Sequence, residues 1–99
     1  MNEKKSIIGK KSFAFALKII DIYKKMYNQK EYVLSKQLLR SGTSIGANTK
    51  EARATKYWLR LIQESNKVDI EVKDILKEND EIIKILTSIV KTSKENLKK

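Results

Sequence analysis

The apolar positions of the chain fall into three helical rows. In the first stretch, two adjoining stripes repeat at three- and four-residue spacing. One is Phe13, Ala16, Leu17, Ile20, Tyr23 and Tyr27, and the other is Phe15, Ile19, Ile22 and Met26. A helix from Ser12, a plausible N-cap, to about Asn28 accommodates both. Its wet side is narrow, marked by Lys18, Asp21 and Lys25. A helix this apolar around its circumference meets more than one neighbour, and its aromatic residues are read as core. The second row is Leu34, Leu38, Ser41, Ile45, Asn48, Ala52, Thr55, Leu59 and Ile62, four and three apart in strict alternation. The phase never slips, and neither Pro nor Gly lies between Ala47 and Ile62. The pattern therefore predicts one continuous helix over 31–65, about 50 Å long. The third row, Val68, Val72, Ile75, Asn79, Ile82, Leu86, Ile89 and Ser93, predicts a helix over 68–96, widened by Leu76, Ile83, Val90 and Leu97. The expected fold is all-α: an up-down bundle of three helices per chain, about 12–28, 31–65 and 68–96, forming one domain over residues 1–99. Residues 1–11 are read as a flexible basic arm. The four-helix geometry would be completed on oligomerisation.

The middle of the second row, SGTSIGAN, is weak in helix propensity, because Gly, Ser and Thr each destabilise a helix by roughly 0.5–1 kcal/mol relative to Ala. Small residues there imply either the close approach of another backbone or a bend, with close packing favoured. A phosphate-cradling loop is the sharper alternative. It lacks the Gly-Lys-Ser/Thr ending and a preceding strand. Between the second and third helices, Asn66 is suited to a left-handed cap.

Charge adds a partner class to this picture. The chain has 99 residues, net charge +10, no Pro, no Cys and no His. Residues 1–30 carry eight Lys against two acids, 31–66 six basic against three acidic side chains, and 67–99 eight Lys against seven acids. The excess sits in the first two thirds, where a polyanion such as RNA or DNA would be attracted; a lysine-rich solvated surface is the bland reading. The three arginines, Arg40, Arg53 and Arg60, all lie in the second row's segment. Their planar forks suit phosphate or interhelical carboxylates, with structural pairing slightly favoured at any single position. Lys36, Arg40, Lys50, Arg53 and Arg60 are the candidate nucleic-acid-binding residues, with Lys10, Lys11, Lys18 and Lys25 as electrostatic support. Leu39, Tyr57, Trp58 and Leu61 fall away from the seam and are candidate interface residues.

Other chemistries find little purchase. Without His or Cys the commonest general base and the commonest metal ligands are gone. The acids are scattered among lysines, and no base–nucleophile pair can be argued. No catalytic residue, metal, cofactor or small-molecule substrate is expected. The longest run without charge, Ser41 to Thr49, is far too short for a membrane span. Lys18 interrupts the apolar stretch after Ser12, so no signal peptide is expected. A cytoplasmic setting is expected.

Three phrases carry a family resemblance: SFAFALKIIDIYKKM, LSKQLLRSGTSIGANTKEA and KYWLRLIQES. They resemble the small bacterial four-helix-bundle proteins associated with large-subunit (23S) ribosomal RNA intervening sequences. The positions that carry the likeness are Leu39, Arg40, Ser41, Gly42, Ser44, Ile45, Asn48 and Glu51, then Tyr57, Trp58 and Leu59. The resemblance implies an all-helical, ring-like homo-oligomer, typically a pentamer, with nucleic-acid binding the usual inference. Relative to the family, an internal deletion of about 20 residues, or roughly 30 Å of helix, is expected with its join near Lys50–Arg53. Together these readings predict a non-enzymatic, oligomeric helical protein binding RNA or DNA through a basic surface. The alternatives are a protein–protein scaffold that does not bind nucleic acid and a degenerate remnant of the family.

Overall fold

The structure, a computed structural model, describes residues 3–97. They form four helices and no strands: α1 (Glu3–Asn28), α2 (Val33–Thr43), α3 (Thr49–Ser65) and α4 (Lys73–Leu97). Met1 and Asn2 of the expected arm lie outside the described residues, as do the side chains of Ser93 and Leu97. The helical class is as the sequence predicts. The count and two boundaries are not. α1 starts at Glu3, so Ser12 sits inside the helix, and α4 starts at Lys73 rather than Val68.

The larger correction concerns the expected continuous helix over 31–65. It is two helices, and the chain reverses between them. Ser44 ends α2, its N–H donating to the Ser41 carbonyl, and the Ala47 N–H donates to the Ser44 carbonyl. Asn48 is fully extended and its side-chain oxygen accepts from the Glu51 N–H at 3.0 Å, an N-cap that starts α3 afresh. The reversal thus lies at Ser44–Asn48, overlapping the start of the Ala47–Ile62 window that lacks Pro and Gly. It contains Gly46.

Contacts fix the directions. Gly42 lies against Ile19, and Gly46 against Ser12, so α2 runs back along α1. A Cβ on Gly42 would stand 2.8 Å from Ile19 side-chain carbons, and one on Gly46 would stand 2.3 Å from Ser12 Oγ. Close packing and the bend, posed as alternatives, both occur. α4 runs antiparallel to α1, tied by the exposed pairs Lys18–Glu78 and Lys11–Glu81. Each helix packs on its two neighbours around a square, α1–α2, α2–α3, α3–α4 and α4–α1, and the diagonal pairs do not approach among the described residues. One chain closes its own four-helix bundle, so the expectation that oligomerisation supplies the fourth helix does not hold.

The two middle helices are short, 11 and 17 residues against 26 and 25 for α1 and α4. The molecule is accordingly long and thin, 52 × 21 × 19 Å. Beyond Ser12, α1 continues with α4 beside it, where Ile7, Lys84, Ile85 and Ser88 line a shallow recess. The core takes Phe15, Ile19 and Met26 from α1, Leu38 from α2, Ile45 from the turn, Ala52, Leu59 and Ile62 from α3, and Val72, Ile75, Ile82 and Leu86 from the last segment. Asn79, fully buried, donates from Nδ2 to the Ala52 carbonyl at 3.1 Å and so bolts α4 to the first turn of α3.

The other connections are pinned by polar contacts. The Glu31 carboxylate accepts from the N–H groups of Leu34 and Ser35 and caps α2. Asn66 closes α3 in the left-handed conformation expected of it, with φ 55°. Gln29 exchanges two hydrogen bonds with the backbone of Asp69, holding the 66–72 linker against the α1–α2 turn.

Candidate nucleic-acid interface

The site is assembled on the short α2–α3 hairpin. Residues 33–65 carry six basic and two acidic side chains. In α3 the core claims Ala52, Thr55, Leu59 and Ile62. Helical geometry then sends Lys50, Arg53, Tyr57, Arg60 and Glu64 outward as one row, and all five are exposed. Arg53, Lys56, Tyr57, Arg60, Leu61 and Glu64 line an open groove of about 440 Å³ along this row. Tyr57 is 58% exposed, and its ring meets Trp58 edge-on, centroids 5.1 Å apart. Trp58 is half-buried and packs against the core.

The sequence offered two roles for the arginines, phosphate contact or bracing of carboxylates. Arg40, Arg53 and Arg60 make no ion pair with any described residue, nor do Lys36 and Lys50. Lys56 is spoken for: it pairs with Asp80 of α4 at 2.9 Å. Lys36 and Arg40 are exposed on α2, in a row separate from that of α3. Of the supporting lysines, Lys11 and Lys18 are bound to Glu81 and Glu78, whereas Lys10 and Lys25 are exposed without an ion pair to a described residue. The α1–α4 groove that holds Lys18 and Lys25 is lined by three lysines and five acids, Asp21, Glu71, Asp74, Glu78 and Glu81. On α1, then, acids of α4 answer part of the lysine charge, whereas Lys36, Arg40, Lys50, Arg53 and Arg60 of the hairpin have no such partner among the described residues.

The candidate interface residues divide. Leu39 and Trp58 lean on the core and Leu61 is half-buried; Tyr57 alone stands out, inside the basic groove. A different apolar surface appears where the sequence placed core. Phe13 is 70% exposed, Leu17 52% and Tyr27 49%, with Ile20 and Tyr23 half-covered between them. Tyr27 stacks edge-on with Tyr32 at 4.8 Å and meets Tyr23 at 5.9 Å, so the strip is continuous. The helix's all-round apolarity was the signal. It said that α1 has several neighbours without saying which stripe faces them. Among the described residues no cluster of acids, His or Cys could hold a metal ion. No helix of the described chain is long and apolar enough to cross a membrane.

Fold and surface together define a small all-helical bundle module with a basic hairpin face. Residues 4–56 match the family described as 23S rRNA-intervening sequence protein. The chain is also similar to a Bacteroides thetaiotaomicron VPI-5482 protein with unknown function from the S23 ribosomal protein family, whose crystal structure was determined at 1.70 Å resolution. The two are 39% identical, with a TM-score of 0.82 over 89% of this chain and 98% of that one. No curated protein sequence is matched. The chain belongs to the 23S rRNA-intervening sequence protein family.

Proposed function

We propose that the protein is a non-enzymatic, self-associating helical bundle that binds RNA or DNA through the outer face of its α2–α3 hairpin. The observation that carries this reading is the set of five cations, Lys36, Arg40, Lys50, Arg53 and Arg60, exposed and free of ion pairs with described residues on one short hairpin. Unpaired surface arginines keep their forks available for phosphate oxygens. The family's description, which names a ribosomal RNA intervening sequence, supports a nucleic-acid setting, and a cytoplasmic location is consistent with it. The contacts are to the sugar–phosphate backbone, with little reading of base sequence.

Self-association rests on a second observation. The strip Phe13, Leu17, Ile20, Tyr23, Tyr27 and Tyr32 is a contiguous apolar surface on α1 and the following turn. Such surfaces mark association. α1 and α3 are diagonal in the bundle, so copies joined through α1 leave the basic face of α3 outward.

A salt titration of RNA affinity tests the reading. Three to five phosphate contacts predict that log K falls with log salt at a slope between about −2 and −3.5 for single strands. An affinity indifferent to salt would remove nucleic acid as the ligand and leave the scaffold reading, in which protein partners dock on Tyr57 and its neighbours.

A further inference from the structure

We infer that the groove on α3 is a stacking site for an unpaired nucleotide, with Tyr57 as the platform, so that the ligand is single-stranded rather than duplex. This rests on the phosphate-binding reading above and names its substrate class. A solvated row needs only charge to attract a backbone, yet this row places an aromatic ring between its two arginines. Arg53 lies one turn before Tyr57, about 6 Å along the axis, and Arg60 about 4.5 Å after it. Both share the groove of about 440 Å³ with Tyr57 and Leu61. The Tyr57 ring is held rather than loose: Trp58 meets it at an interplanar angle of 71°, and Trp58 itself is seated on the core. A ring braced on one side and open on another can receive a base on its face, while the flanking guanidinium groups take the phosphates on either side.

Duplex RNA cannot use this arrangement. Its bases hide their faces in the stack, and its deep, narrow major groove does not admit a helix. Glu64 lies on the C-terminal side of Arg60 in the same groove. It repels phosphate there, so the strand's contacts end at Arg60 and continue past Arg53 toward Lys50 rather than toward the α3–α4 linker. Lys56, neutralised by Asp80, adds no free cation.

The test compares a 12-nucleotide unstructured RNA with a hairpin duplex of equal charge, by fluorescence anisotropy on the full chain at low salt. The single strand is expected to bind more tightly. Tyr57→Leu should weaken it about tenfold, and Tyr57→Phe should restore it to within about twofold, because stacking needs the ring and not the hydroxyl. Arg53→Gln with Arg60→Gln should weaken single strand and duplex alike. Unchanged thermal melting of each variant excludes a folding effect. If Tyr57→Leu binds the single strand like the parent while the arginine variant fails, stacking is wrong and the phosphate face stands. If neither substitution matters, or neither RNA binds, both readings fall.

Discussion

α1 and α3 occupy opposite corners of the same bundle, yet present opposite chemistry. The outer face of α1 shows Phe13, Leu17 and Tyr27 to solvent. That of α3 shows Lys50, Arg53 and Arg60 around a single aromatic ring. Both helices bury a heptad-like stripe, so burial alone does not tell them apart. The difference lies in what each carries in excess of its core stripe. α1 has a second apolar row that its neighbours leave largely uncovered among the described residues, whereas α3 has unpaired arginines around one aromatic ring. The first asks for an apolar partner, such as another copy, and the second for a polyanion. On the proposed reading the bundle is a two-sided module that assembles through one corner and offers the other.

The comparison can be broken at either corner. Phe13→Lys with Leu17→Lys should have the largest effect, reducing any assembly to the 11.5 kDa chain in sedimentation. Melting should shift little, because both side chains are exposed. Arg53→Gln with Arg60→Gln should reduce RNA affinity by about 10- to 100-fold, with each charge-assisted contact worth about 1 kcal/mol or more, and leave the sedimentation pattern as it was. Should either pair of substitutions abolish both properties, the two faces are not separable.

Smaller effects sharpen the role of the hairpin that carries α3. Gly42→Ala inserts a Cβ 2.8 Å from Ile19 and should destabilise the fold by about 1–3 kcal/mol, read by chemical denaturation. Asn48→Ala removes the cap from α3 and should cost about 1 kcal/mol in the same assay. Glu64→Gln, which takes an anion out of the basic groove, should tighten RNA binding about two- to threefold in anisotropy at low salt.

Which residues face the core was readable from spacing. Of the seam Leu34, Leu38, Ser41, Ile45, Asn48, Ala52, Thr55, Leu59 and Ile62, all are buried except Leu34, which is half-buried, and Asn48, which is exposed as the cap of α3. Direction was not readable in that seam. A 3.5-residue phase says which side of each helix is covered, and here it happens to continue unbroken through the Ser44–Asn48 turn, because Ile45 is buried within the turn itself. The signal of reversal lay in local chemistry instead: Asn48 followed three residues later by Glu51, with Gly46 just before, is the start of a new helix.

For the site, the arginines and Tyr57 were legible as surface candidates, though not their placement in one groove. The exposure of Phe13 and Leu17 was not legible either. Apolar residues on both sides of a helix declare that two surfaces want cover without saying whether the same chain supplies it. Likewise Lys11 and Lys18 read as free charge until α4 brought Glu81 and Glu78 beside them.

The account turns on whether unpaired cations on the α3 corner hold phosphate. Its most direct measurement is the salt dependence of single-stranded RNA affinity for the parent chain and for Arg53→Gln with Arg60→Gln. Two lost phosphate contacts should flatten the slope of log K against log salt by about 1.4. Identical slopes for the two proteins would contradict it.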